Sequence, residues 1–360
     1  MELYYCITTT GNFGDDINEW IWKKLLPDCW EKKDDTTFIA IGTILDVCIP
    51  DTKNKVVFGS GVGYKAIPDI SNEDPDNNWD IVCVRGPITA EILGIDKSKS
   101  VTDSAIVARL LFDIVPYNKR KNIAFMPHIS SRFNGVWKDV CDHLGIEYLD
   151  PTLGTKMLIR KISSSEIVIA DAMHAAVVAD TMRVPWIPVV TSVEINIIKW
   201  LDWTKSMSVN YRPYYLPQSC LYEWIKNRYF ISKSRGYGSL WKKVSSSGNI
   251  TDEDIEDIVD NYMNMHDKWS THAEFSEESL DSNVEGKKRD TGKLLKNILG
   301  LKLIKVIIYP IERILFNRAC AKMKIIMESE AYLSSDEIYD EKLSRMKELL
   351  EDIKVKYSDK

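Results

Sequence analysis

The sequence predicts a doubly wound α/β fold in two domains, followed by a helical C-terminal extension. Three observations predict it. First, 360 residues exceed one ordinary core and suit two domains of roughly 100–200 residues each. Second, seven short Val- and Ile-rich runs recur along the first two-thirds, often closed by Gly, Pro or Ser. Such near-continuous apolar runs read as strands buried on both faces of a parallel sheet. Third, amphipathic stretches lie between them, and strand–helix alternation implies βαβ units.

The runs are, in order, "LYYCI" (3–7), "TFIAIG" (37–42), "KVVFGS" (55–60), "DIVCVR" (80–85), "NIAFMP" (122–127), "EIVIA" (166–170) and "WIPVV" (186–190). Helices are expected over 14–25, 86–94, 103–113 and 134–144. The polar, basic "DIVPYNKRKN" (113–122) carries a Pro and marks a boundary. It divides Rossmann-like domains over 1–116 and 117–235 around a cleft, a preferred setting for a small-ligand site.

Beyond Asn249 the character changes. A helical segment is expected over 236–274, with "TDEDIEDIVDNYM" as a capped acidic helix, then a polar linker over 275–292. The remainder, 293–360, reads as a helical extension. Its first part carries eight Lys or Arg against Glu312 alone, interrupted by Gly300 and Pro310. Two readings fit: a helical hairpin packed on the second domain, or a helix lying on the inner face of a membrane through 293–325, basic and aliphatic. The last part, "SSDEIYDEKLSRMKELLEDIKVKY", is a regular amphipathic helix with a capping start.

A net charge of −6 argues against general nucleic-acid binding, which leaves a basic footprint. Seven scattered cysteines with no C-x-x-C pair suggest neither a disulfide framework nor a zinc knuckle. The N-terminus lacks a signal-peptide pattern, and no apolar run is long enough to span a bilayer. A cytoplasmic protein, soluble or peripheral on the membrane, is the expectation.

Ligands in open α/β sheets bind beyond the carboxyl ends of the strands. After the first run comes "TTTGNFGDDIN", with Asn12 and Asp15. After the third comes "GSGVGY", with Gly59, Ser60 and Gly61. After the fourth comes Arg85 in "RGPIT", and after 99–102 comes Asp103 in "TDSA". His128 follows the fifth run and His174 the sixth, and Lys199 comes after the seventh. Gly turns, helix starts and cations at one edge are what an anionic ligand needs. Each also has a plainer reading. Asp15 and Asp103 serve as helix caps, Arg85 as a cap for a neighbouring helix, and His128 and His174 as packed side chains. His143, His266 and His272 read as surface residues. "GSGVG" lacks the full dinucleotide fingerprint.

Taken together, "GNFGDDIN", "GSGVGY", "VRGPIT", "TDSA", "MPH", "IADAMHAAVVAD", "RVPWIPV" and "EINIIKWLDW" resemble the polysaccharide pyruvyl transferase family, in its bacterial exopolysaccharide branch of succinoglycan type. The ordered set, over about 3–212, carries the resemblance. It implies a glycosyltransferase-B-like fold and transfer of a pyruvyl unit from phosphoenolpyruvate to sugar hydroxyls, giving a cyclic ketal in exopolysaccharide or capsule biosynthesis. No metal and no cofactor beyond that co-substrate are implied. Many members carry Arg-Leu-His where this chain has Ala172, Met173 and His174, so either another cation, such as Lys199, Arg183 or Arg160, replaces that arginine or the donor is held differently.

Phosphoenolpyruvate brings a phosphate and a carboxylate, which call for Arg or Lys and for backbone N–H groups. The expectation assigns Arg85, Lys199 and the Gly59–Ser60–Gly61 turn to the donor. It assigns Asn12, Asp15 and Asp103 to a glycan acceptor that could be lipid-linked. His174 is the proton donor to the methylene carbon, and Asp15 or His128 is the base. Two other functions fit the architecture: a nucleotide-sugar glycosyltransferase, and a non-catalytic carbohydrate-binding or assembly protein.

Overall fold

In the computed structural model, residues 1–30, 35–63, 67–71, 76–192, 194–233, 295–299 and 301–358 are described, with isolated positions 253, 256, 257 and 260. The acidic helix expected over 251–263 lies outside them apart from those four positions. The linker over 275–292, His266 and His272 lie wholly outside them.

The first half begins with β1 (Glu2–Tyr4), α1 (Phe13–Asp16) and α2 (Asn18–Leu25). It continues with β2 (Thr36–Ile39), β3 (Asn54–Ser60), β4 (Asn78–Val84) and α3 (Pro87–Ile92). Its four strands are parallel, and their order in space is their order in sequence. All four residues of β2 are buried, so both faces of the sheet are covered there, as its apolar run implied.

The second half comprises β5 (Ile123–Met126), α4 (Ile129–Asn134), α5 (Trp137–Leu144), β6 (Glu147–Tyr148) and α6 (Thr155–Ser163). After these come β7 (Ile167–Ala170), α7 (Met173–Thr181), β8 (Trp186–Val190), α8 (Ile197–Ser206), β9 (Tyr214–Tyr215) and α9 (Leu221–Lys233). This sheet is also parallel, but its order is β6-β5-β7-β8-β9. The winding therefore reverses between β5 and β7, and a crevice opens at the carboxyl ends of strands at such a switch point.

Two expected elements differ. The helix expected over 103–113 is a 3₁₀ segment, Ser104–Leu110. The one expected over 134–144 is divided by Gly135. A Cβ there would lie 2.4 Å from Trp137 Nε1 and 2.7 Å from Ser219 Oγ, so the chain turns where only a glycine fits. His143 is exposed, as expected, and stands edge-on to Phe316 at 5.6 Å.

The extension forms α10 (Lys302–Met327) and α11 (Asp336–Tyr357). Ala319, Cys320, Met323 and Ile326 of α10 join Trp137, Val140 and Cys141 in a core on the second half. The chain then bridges Trp186 through Tyr332, caps α11 with Ser335 and returns to the first half. There Met346 meets Cys83, and Lys356 and Tyr357 hold Asp80. The extension therefore straps both halves and does not form a hairpin on the second alone. Among the described residues no helix is long and apolar enough to cross a membrane.

The seam between the halves is closed by an ion pair. Arg85 Nε donates to Asp202 Oδ2 of α8 at 3.0 Å, and both side chains are wholly buried. Asp202 also accepts from Thr89 N (3.0 Å) and Thr89 Oγ1 (2.6 Å), while Arg85 reaches Thr43 Oγ1 (2.7 Å) and the Val62 carbonyl (3.1 Å). Removing one member of such a pair leaves a buried charge unmatched. Asp202→Ala should cost about 3–5 kcal/mol in urea unfolding, whereas Arg85→Met/Asp202→Leu should recover most of that loss.

Candidate active site

At the switch point the loops after β5, β7 and β8 are tied together, and the loop after β1 and the 3₁₀ segment that follows β4 pack against them. His174 is the second residue of α7, whose N-cap is Ala172 and has no side-chain cap. Its ring lies against Gly14 so closely that a Cβ there would sit 1.8 Å from Nδ1. On the other side, His174 Nε2 is 3.7 Å from Asp103 Oδ2. Both atoms are buried, and neither has a hydrogen-bond partner among the described residues. The two readings of Asp103 hold together. Oδ1 caps the 3₁₀ segment by accepting from Ala105 N at 2.9 Å, which leaves Oδ2 for the histidine. Expected on the acceptor side, Asp103 is thus placed against His174. Ser104 Oγ beside it is likewise buried and unpartnered.

Gly59 makes this approach feasible. Its φ is +76°, and a Cβ would meet Ser104 N at 2.7 Å. The backbone geometry and the close packing both require glycine.

Asp15 is half-buried, and desolvation raises its pKa against the pull of His174, Lys199 and the Asn12 amide. Asn12 Nδ2 donates to Asp15 Oδ2, and Asn12 N to Asp16 Oδ2. Asn18 anchors the same turn to the end of β2 through Ile41 and the Asp15 carbonyl. His128 enters from β5, and burial together with Lys199 pushes its pKa down to about 3. Lys199 thus acts electrostatically on both Asp15 and His128.

The structure places Arg85 and the Gly59–Ser60–Gly61 turn differently from the expectation. Arg85's guanidinium is wholly buried and bonded on all three nitrogens to the protein's own groups. A Cβ on Gly61 would lie 2.4 Å from Arg85 Cζ, and Ser60 Oγ is bonded to the Gly42 carbonyl at 3.0 Å. These residues build the seam behind the cleft.

Sequence reasoning passed over Asp171 and Asp202. Asp171 directly follows β7 and accepts from His128 N (2.8 Å), Thr191 N (3.1 Å) and Thr191 Oγ1 (2.8 Å), with its pKa raised by burial to about 6. It ties the loops after β5, β7 and β8 together. The signal for both was an aspartate inside an apolar context, "VIADAM" and "KWLDW", since a buried carboxylate needs donors.

An α/β chain with an imidazole–carboxylate pair at a sheet switch point is built for acid–base chemistry on a small bound ligand. The family model described as polysaccharide pyruvyl transferase matches residues 12–192. The succinoglycan biosynthesis protein ExoV of Rhizobium meliloti (strain 1021) is 41% identical over 220 residues, covering 61% of this chain and 69% of that protein. No solved structure matches. The chain belongs to the polysaccharide pyruvyl transferase family and is a pyruvyl transferase. This sets aside the nucleotide-sugar and non-catalytic readings.

Gly14 provides a local test. In α1 an alanine is favoured over glycine by about 1 kcal/mol, yet its Cβ would displace the His174 ring. Gly14→Ala should keep the thermal midpoint within a few degrees and lower kcat at least about 100-fold.

Proposed function

We propose that the protein transfers the pyruvyl group of phosphoenolpyruvate to two hydroxyls of a glycan, forming a cyclic ketal, with His174 as the proton donor. The observation that supports it most is the unpartnered pair His174 Nε2 and Asp103 Oδ2 at 3.7 Å. Two buried polar atoms without partners are costly unless a ligand or proton completes them, and such contacts often tighten only with substrate bound.

In this reading Asp103 holds the imidazolium, and His174 gives its proton to the methylene carbon. The first hydroxyl adds to the adjacent carbon, and Asp15, whose raised pKa makes it a stronger base, takes that hydroxyl's proton. The carbon–oxygen bond to phosphate then breaks. The second hydroxyl closes the ring and returns its proton to His174, while the first hydroxyl's proton leaves with phosphate. Lys199 and the N–H groups at the start of α7 hold the anionic donor. Arg85 and the Gly59–Ser60–Gly61 turn support the cleft from behind, in a glycosyltransferase-B-like arrangement of the two halves.

The likeness to ExoV supports an exopolysaccharide repeat unit as acceptor. Incubation with phosphoenolpyruvate and such a glycan should release phosphate and ketal in equal amounts. Asp103→Asn should lower kcat about 100-fold with the fold intact. Phosphate release by this variant at the wild-type rate would count against the pair.

The acceptor is proposed to be lipid-linked, because the first part of α10 carries a run of exposed aliphatic side chains. Val306, Ile307, Tyr309, Ile311 and Ile314 are each 48–74% exposed, whereas Leu315 and Ala319 are buried. Arg313, Arg318, Lys322 and Lys324 accompany them on the helix. An aliphatic overhang with basic neighbours suits an anionic lipid surface. Wild-type protein should co-sediment with phosphatidylglycerol vesicles, and Ile307→Asp/Ile314→Asp should lose most of that binding. Equal binding by both would remove the membrane contact.

A further inference from the structure

α7 begins with His174 and ends against the C-terminal extension. Asp180, its penultimate residue, is 2% exposed. Asp180 Oδ2 accepts from Trp186 Nε1 at 3.0 Å and from Ser334 N at 2.9 Å, and Oδ1 accepts from Ser334 Oγ at 2.5 Å. Arg183, just past the helix, donates to Ser334 Oγ (3.0 Å), to the Ser334 carbonyl (2.7 Å) and to Asp336 (2.8 Å). It does so from a left-handed backbone, φ +55°, which side chains rarely adopt and which its partners sustain. Tyr339 of α11 donates its hydroxyl to the Thr181 carbonyl at 2.9 Å. The end of α7 opposite His174 is thus held by residues far beyond it in the chain.

The partner of His174 is braced by the same element. Asp103 caps the 3₁₀ segment Ser104–Leu110, and α11 packs on that segment. Tyr339, Met346 and Leu350 of α11 share one core with Val107 of the segment and with Val178 and Ala179 of α7. A helix is stiff along its axis. His174 and Asp180 are six residues apart, about 9 Å along α7, so a shift at the held end moves the imidazole. The 3.7 Å between His174 Nε2 and Asp103 Oδ2 is not closed by a hydrogen bond. That spacing is set by where α7 and the 3₁₀ segment are held.

We propose that Ser334 and Tyr339 are positioning residues, through which the C-terminal extension sets the spacing of His174 and Asp103 and so the rate of proton transfer. This role rests on the pairing of His174 with Asp103 in the reading above. It gives the extension a part in the reaction, although Ser334 and Tyr339 lie beyond residues 12–192, which the family model matches. The competing role is stability alone. A buried carboxylate that loses a donor costs stability in either case, so a melting temperature does not separate the two. Coupling to Asp103 does, because only a positioning residue acts through that carboxylate.

The test is a double-mutant cycle in the full chain, scored as kcat for ketal formation with both substrates saturating, at a temperature where every variant is folded. Ser334→Ala should lower kcat about tenfold while Asp103 is present, since small misplacements of reacting groups are costly. In an Asp103→Asn background the same substitution should change kcat by less than about twofold, because the spacing it guards no longer matters. Tyr339→Phe removes one hydroxyl and keeps the ring. It should show the same pattern, and it decides the matter if Ser334→Ala does not fold. Losses that are equal with and without Asp103, or thermal destabilisation at wild-type kcat, would overturn the positioning role and leave the His174–Asp103 reading standing. Asp103→Asn at the wild-type rate would overturn that reading and the positioning role with it.

Discussion

The buried Arg85–Asp202 pair is the constraint on which the cleft depends. Asp202 sits in the middle of α8, and Arg85 leaves the end of β4. Their contact fixes one half's helix against the other half's sheet edge. A buried ion pair adds little net stability but tolerates little displacement, because either charge left alone is costly. It therefore works as a register. The same seam carries Thr102 against Ser206, Phe13 N against the Pro151 carbonyl, and Trp20 against Thr155. With the halves locked, Asp103 from the first can meet His174 from the second at a few ångströms.

Topology then decides which loops form the cleft. Among the described strands of the first sheet, spatial order follows sequence order and no reversal opens a crevice. The second sheet reverses between β5 and β7, so the loops carrying His128 and His174 part there. Asp171, at the end of β7, restrains that gap from beneath by holding His128 N and Thr191 together. One carboxylate thus sets the loops, a second sets the seam, and a third, Asp103, is left for chemistry.

Much of this was legible in the sequence. All seven apolar runs became strands, because burial on both faces leaves a pattern that no loop imitates. The two strands passed over, β6 and β9, have two residues each, too short for any periodicity. The segment over 103–113 looked helical because its apolar spacing suits a 3₁₀ turn as well as an α-helix. His174, Asp15, Asp103, His128 and Lys199 were named from their positions after strands, and the fold sets His174 against Asp103 and against Gly14, next to Asp15. Arg85 was read as a ligand for anions because sequence gives a charge but not its partner. The partner, Asp202, lies 117 positions away, and such pairings are invisible without a fold. The apolar flanks of Asp171 and Asp202 were the available clue.

The central claim is that His174, held by Asp103, protonates the donor's methylene carbon. It is tested most directly by running the reaction in deuterium oxide and examining the ketal methyl by mass spectrometry and NMR. The account predicts one deuterium in each methyl made by wild-type protein, and neither ketal nor methylene exchange from correctly folded His174→Gln. Singly deuterated ketal formed by His174→Gln at the wild-type rate would contradict it.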